Sequence, residues 1–255
     1  MASYKLVADV ASYQPDSPAF YLDIKAAGVS AVIVKLTEGE GYVNPKAAKQ
    51  ISNAAKAGLL VHAYHYARWQ TAEAAQREAA FFVATAKRLE LTGSSVLADD
   101  IEDAVLPAGN LTQLANVFTN ATKAAGYNKT DVYTMASWIW AGRLRPTELV
   151  AKNLWIASYG TDRPGVDNVG TWQFTSSWQG YALDMSYDFK GLYTGNSVPS
   201  RSQPVSHIGA TYTVRPGDSW WAISARVGVS IERLLATNNS STKTVIRPGQ
   251  ILKLP

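Results

Sequence analysis

A chain of 255 residues that is 47% hydrophobic can bury one large core and still build a small second unit. It has no cysteine, which excludes disulfides and thiolate metal sites. The net charge of +4 lies entirely in residues 212–255, which hold six Lys and Arg against two Asp and Glu; such a surplus serves as a solubilising surface or meets an anionic polymer such as nucleic acid or a bacterial wall.

The N-terminus reaches Asp9 before any apolar run long enough for a signal peptide, and no later stretch could span a bilayer. The expectation is a protein made in the cytoplasm without a signal peptide and not inserted in a membrane. From Tyr4 to Ser158, short runs rich in Val, Ile and Leu alternate with longer segments of helical period. The strands are expected at 4–10, 30–36, 59–66, 95–102, 130–135 and 153–158. Ala-rich helices are expected at 44–57, 71–90 and 110–125, with Gly58 and Gly126 placed where helices stop. This alternation predicts the α/β class, with an irregular, TIM-like β/α barrel over residues 1–195.

Barrel enzymes carry their chemistry at the C-terminal strand ends. The first strand ends at Asp9 and the second runs into Lys35-Leu36-Thr37-Glu38-Gly39. The third ends in Tyr64-His65-Tyr66-Ala67-Arg68 and the fourth in Asp100-Ile101-Glu102. After Tyr193 the apolar content falls away, so 196–210 is expected to be a flexible linker. The remainder, 211–255, reads as a βααβ unit: strand 211–214, a turn at Pro216-Gly217-Asp218, helices 219–227 and 230–238, and strand 250–254.

Two residues apart on a strand, Asp100 and Glu102 leave the same face with anchors about 6.6 Å apart. Two carboxyls on one inner face push each other's pKa apart, which suits glycosidic bond cleavage, where one acid donates a proton and one carboxylate opposes developing positive charge. A solvated or salt-bridged acidic turn is the bland alternative; Asp9 and Asp184 near other strand ends favour a catalytic cluster. Tyr64, Tyr66, Trp138, Tyr159 and Trp172 also fall near strand ends, where flat rings stack on sugars, although about half of such rings belong to a core. His62 and His65 point to opposite strand faces with no third ligand near, so no metal or cofactor is expected. Neither a Gly-x-Ser-x-Gly elbow nor a phosphate-cradling loop is present.

Over residues 4–193 the segments Asp9-Val10-Ala11-Ser12-Tyr13-Gln14, Lys35–Gly39, Tyr64–Arg68, Asp100–Glu102, Trp172-Gln173-Phe174 and Asp184-Met185-Ser186 stand in an order that resembles the family 25 glycoside hydrolases. These are the bacterial and phage muramidases often called Chalaropsis-type lysozymes. The resemblance implies cleavage of the β-1,4 bond from N-acetylmuramic acid to N-acetylglucosamine in peptidoglycan. Glu102 would be the general acid, Asp100 would assist the substrate's N-acetyl group, and Asp9 and Asp184 would complete the acidic site. Gln173 joins Tyr64, Tyr66, Trp138, Tyr159 and Trp172 as an expected substrate contact. Asp99 departs from the family, which often has a small or apolar residue there, and is expected to point away from the groove.

Residues 211–255 resemble a LysM domain, whose shallow groove takes N-acetylglucosamine-containing chains. The resemblance places Gly217, Asp218, Ser219 and Trp220 opposite Val245, Ile246 and Arg247, and leaves open which of Trp220 and Trp221 meets the sugar. Together these readings imply a monomeric, phage-type endolysin that takes bacterial peptidoglycan and no nucleic acid. A non-catalytic wall-binding protein and a chitinase are the rival readings.

Overall fold

The computed structural model describes residues 4–195, 211–215, 218–227, 231–242 and 244–254. They divide into two compact units, one on each side of the expected linker, which itself lies outside the described residues.

In the larger unit, eight strands close into a barrel: β1 (Lys5–Val10), β2 (Val29–Glu38), β4 (Leu60–Tyr66), β5 (Leu97–Asp100), β6 (Thr130–Met135), β7 (Trp155–Ala157), β8 (Thr171–Thr175) and β9 (Asp184–Asp188). β1 through β8 run parallel around the barrel, apart from the short β3 (Tyr42–Val43), which forms a hairpin on β2. β9 closes the ring antiparallel to both β8 and β1. Helices α1 (Pro18–Ala26), α2 (Ala47–Lys56), α3 (Ala72–Arg88), α4 (Thr112–Ala124) and the short α5 (Ala136–Trp140) follow successive strands.

Local chemistry sets these elements. α1 opens on Pro18 with Ser17 accepting from the Phe20 amide, and α3 opens with Thr71 accepting from Ala74. β2 and β5 are almost wholly buried, as strands covered on both faces must be; Val, Ile, Ala and Leu meet that demand over most of β2, whereas β5 follows Leu97-Ala98 with two buried acids, Asp99 and Asp100. The main core lies between sheet and helices; a second cluster of Val7, Ala31, Ile33, Val96, Ala98, Tyr133, Trp155 and Tyr193 fills the barrel.

The bottom of the barrel is stoppered by Tyr193. Its hydroxyl donates to Asp131 Oδ2 at 2.7 Å, and its carbonyl accepts from His62 Nε2 at 2.6 Å. His62 Nδ1 accepts from the Val96 amide, which makes Nε2 the protonated nitrogen. Asp188 holds the stopper's backbone through the amides of Gly191, Leu192, Tyr193 and Thr194.

Expected strand positions hold to within a few residues, with one correction that matters: β5 ends at Asp100, so Glu102 lies beyond the regular strand. α1, α5, β3, β8 and β9 were absent from the expected elements.

The smaller unit pairs β10 (Thr211–Thr213) antiparallel with β11 (Ile251–Lys253) beside α6 (Trp220–Val227) and α7 (Ile231–Thr237), as the βααβ reading requires. Val214, Trp220, Ile223, Leu234 and Leu252 are its core. No helix among the described residues is long and apolar enough to cross a membrane.

Candidate active site

At the C-terminal mouth of the barrel, Asp9, Tyr64, Asp100, Glu102, Tyr133, Trp155, Gln173 and Asp184 line a cavity of about 60 Å³. Each arrives by strand register. Asp9, the penultimate residue of β1, stands opposite Ile33, an inward residue, and Asp100 stands between Tyr66 and Tyr133 on its neighbouring strands. Because β9 runs backwards, its first residue, Asp184, lies level with the end of β1 and faces Asp9 directly.

Glu102 reaches the cavity although regular pairing stops at Asp100. The Ile101 amide still donates to the Tyr133 carbonyl at 2.9 Å, and the Ile101 carbonyl accepts from Thr134 Oγ1 at 2.8 Å. Ile101 is fully buried, so the strand's alternation persists for two more residues and turns Glu102 inward beside Asp100.

A hydrogen-bonded network fixes the opposite wall. Gln173 Nε2 donates to Asp9 Oδ2 at 2.8 Å, and Gln173 Oε1 accepts from the hydroxyls of Tyr133 and Tyr159. Asp9 and Asp184 also share a side-chain hydrogen bond that favours the protonated form of Asp9.

All four carboxyls titrate above their ordinary range. Burial is the largest cause for each; for Asp9 and Glu102 the charge of Asp184 follows, and for Asp100 that of Glu102. Lys35 opposes the rise on both Asp100 and Glu102. Four carboxyls in so small a space cannot all be ionised, so the site stores protons at a pH where a solvated acid would have none.

Of the expected substrate contacts, Tyr64 and Gln173 line the cavity, and Tyr159 is half exposed beside Gln173. Tyr66 carries the Lys35 ammonium 4.3 Å above its ring. Trp172 is a correction. It points away from the barrel axis, 6% exposed among Phe174, Tyr187 and Phe189, with its indole donating to the Ser158 carbonyl. Trp138 has one face covered by the Arg143 guanidinium at 3.6 Å and packs against the main core. Trp140, two residues on and 66% exposed, is the more open ring, pinned by a bond from its indole to the Gly165 carbonyl.

The sequence reading did not single out Tyr133, Trp155 or Lys35 as site residues. Tyr133 lies one position before a strand-end pair, and Trp155 opens a three-residue strand too short to show alternation. Asp99 points to the outer face as expected, buried near Glu78 and Trp69. Burial first, then the charge of Glu78, push its carboxyl well up against the restraining Trp69 indole. His62 and His65 face opposite sides, His65 being held between Thr37 Oγ1 and Glu78 Oε2, each at 2.8 Å. Among the described residues no group of His, Cys, Asp or Glu is arranged to hold a metal ion.

In the smaller unit, Trp220 donates to the Thr244 carbonyl at 2.8 Å and so ties the start of α6 to the loop carrying Val245, Ile246 and Arg247. The two expected glycan-binding loops therefore lie side by side. Trp220 is 5% exposed in the core, which removes it as a stacking platform. Asp218 accepts from the Tyr212 hydroxyl and the Arg215 amide and is engaged in its own turn. Ser219 is half-buried and its carbonyl accepts from the Ile223 amide. Val245 and Arg247 are exposed, and Gly217 lies outside the described residues.

A closed β/α barrel with clustered, proton-retaining carboxyls at its C-terminal mouth is the arrangement that hydrolysis of glycosidic bonds calls for. Residues 8–182 match the family described as Glycosyl hydrolases family 25, and residues 212–255 match the LysM domain. The chain belongs to family 25 of the glycosyl hydrolases. It is 31% identical over 176 residues to lysozyme M1 of Streptomyces globisporus, covering 61% of this chain and 55% of that one. To the lysozyme of Lactococcus phage mv1 it is 32% identical over 162 residues, 60% of this chain and 78% of the relative. Among solved structures, the CTP1L endolysin superposes with a TM-score of 0.64 at 27% identity, covering 74% of this chain and 67% of that one. The chain thus spans about half the length of the Streptomyces enzyme it matches.

Proposed function

We propose that the protein is an N-acetylmuramidase that cuts the β-1,4 bond between N-acetylmuramic acid and N-acetylglucosamine in bacterial peptidoglycan, with the smaller unit gripping the same glycan. The observation that carries this reading is the convergence of Asp100 and Glu102 on one cavity with Asp9 and Asp184.

Glu102, partly exposed where Asp100 is buried, is the acid that reaches the leaving oxygen. Asp100 receives the N–H of the substrate's acetamido group. A hydrogen bond to its ionised form stabilises that form, so substrate binding leaves the pair's proton on Glu102. The acetamido carbonyl then attacks the anomeric carbon as Glu102 protonates the departing oxygen, giving a cyclic oxazoline-type intermediate. Water opens it while Glu102 takes back a proton, so the configuration is retained. Asp9 and Asp184, joined through Gln173 to Tyr133 and Tyr159, form the wall against the sugar.

In the smaller unit, the exposed Val245 and Arg247 beside the α6 turn are the glycan contacts, and the basic surplus of residues 212–255 favours an anionic wall. The protein acts as a monomer at the bacterial wall, in the manner of a phage endolysin.

Mass spectrometry of peptidoglycan digested by the purified protein tests the reading. Muramic acid at the new reducing ends is expected. N-acetylglucosamine at those ends would make it a glucosaminidase, and undigested but protein-coated walls would make it a glycan receptor.

A further inference from the structure

Beside the acids at the barrel mouth lies a cation that the mechanism above does not use, Lys35, in register with the cavity residue Tyr64 and acting on Asp100 and Glu102 through its charge. Lys35 lies level with Tyr64 on the inner face of the barrel, its side chain only 14% exposed. Its ammonium bonds Glu38 Oε2 at 2.8 Å and sits 4.3 Å above the ring of Tyr66, the register neighbour of Asp100. The Tyr42 ring lies further off at 5.6 Å. A register irregularity between Lys35 and Thr37 lets both Lys35 and Glu38 face inward although they are three residues apart.

Glu38 is itself held from the other side. Arg68 Nη1 bonds Glu38 Oε1 at 2.9 Å and Asp103 Oδ2 at 3.2 Å. The Arg68 amide donates to Glu78 Oε2, the same oxygen that accepts from His65. Lys35, Glu38, Arg68 and Asp103 thus form an alternating chain of charges along the rim, anchored at a buried Glu78 on α3.

We propose that Lys35 is a positioning residue for the Asp100–Glu102 pair, setting how many protons the pair holds at a given pH, with Glu38 as the counter-ion that limits its pull. The proposal rests on the reading of that pair as the working acids. A cation beside two carboxyls favours their ionised forms, and an anion bonded to that cation weakens the effect. The groups against Lys35 are Glu38 on its own strand, the Tyr42 ring on β3 and the Tyr66 ring on β4, whose register neighbour is Asp100; the charge of Lys35 reaches Asp100 and Glu102 on β5 and just past it. Its charge also reaches His65. Both acids are pulled down by Lys35 against the larger effect of burial. Although burial alone would raise Glu38, Lys35 and Arg68 hold it below its usual range, so it stays anionic throughout the working pH.

The two partners therefore predict effects of opposite sign. In Lys35→Met both limbs of the pH–rate profile on soluble peptidoglycan fragments move to higher pH by about one unit, so activity on the acid limb falls about tenfold. Lys35→Arg restores the wild-type profile. In Glu38→Gln both limbs move to lower pH, because Lys35 acts unopposed. A Lys35→Met profile that falls uniformly without moving, or a Glu38→Gln profile that moves the same way as Lys35→Met, overturns the proposal. A ¹³C-carboxyl NMR titration, assigned with Asp100→Asn and Glu102→Gln, provides a readout that needs no turnover. If the wild-type protein fails to cleave peptidoglycan, the functional reading falls and this titration alone decides the role of Lys35. Higher titration points in Lys35→Met than in wild type support it, and unchanged points overturn it.

Discussion

Asp9 and Asp184 stand directly opposite each other in the antiparallel β1–β9 pair and share one hydrogen bond, with the proton favoured on Asp9. Only a reversed last strand brings them together, since it turns a strand beginning into a neighbour of a strand end.

This relationship predicts a trade between stability and activity. Burial, then the charge of Asp184, hold the Asp9 pKa well above its unfolded value. Its favourable contribution to folding is complete below the ordinary aspartate range and is lost as pH rises toward the folded value. Asparagine keeps an acceptor for Gln173 and a donor for Asp184 without the titration. Asp9→Asn therefore raises Tm by a few degrees at pH 7 and by nothing near pH 3, while cleavage falls. Thermal melts at the two pH values check the sign; a lower Tm at pH 7 contradicts it.

Glu102→Gln removes the proton donor and keeps the shape. Cleavage of peptidoglycan falls by about 10²- to 10⁴-fold, the range for a lost general acid, while the unfolding midpoint stays at or above wild type. Release of reducing ends and urea unfolding measure the two. Full activity in this variant assigns the proton to another group.

At the far end of the barrel, burial pushes Asp131 up to about 7, against hydrogen bonds from Tyr193, Asn153 and the Val132 amide that hold it down. Tyr193→Phe deletes the first of these donors and leaves a buried carboxyl short of a partner. A loss of about 1–3 kcal/mol is expected. It is larger at pH 8, where Asp131 is ionised, than at pH 5, where it is protonated. Urea unfolding at both pH values tests this, and an equal loss at each shows that the hydroxyl does not serve the carboxylate.

The parallel part of the barrel was legible because strands buried on both faces need mostly apolar runs, and Ala31–Val34 and Leu59–Val61, interrupted only at their flanks by Ser30, Lys35 and His62, supply them. Asp100 and Glu102 were legible through their spacing, and the spacing held even though the regular strand stops between them, because Ile101 is still bonded to β6. Asp9 and Asp184 were read as near strand ends that complete the acidic cluster, but their direct opposition needs the antiparallel β9, which Asp184–Asp188 does not announce. The aromatic rings were read least well. Position near a strand end says nothing of the face a ring takes, so Trp172 turned out to belong to the outer core and Tyr133 to the cavity. Lys35 was visible as a motif residue, but the role proposed for it depends on a register irregularity that no periodicity reveals.

The smaller unit offers a sharp separation of structure from recognition. Trp220 is buried and tied to Thr244, whereas Val245 is 79% exposed in the loop that follows. Trp220→Ala empties the core and unfolds this unit, at a cost of about 3–5 kcal/mol. Arg247→Ala and Val245→Ala touch only the surface and leave folding within about 0.5 kcal/mol of wild type. If the loop grips the wall glycan, these two variants lose sedimentation with purified walls while still cutting soluble fragments at the wild-type rate. Circular dichroism separates the two kinds of loss: a folded Arg247→Ala, Val245→Ala double variant that sediments as wild type moves the binding surface elsewhere.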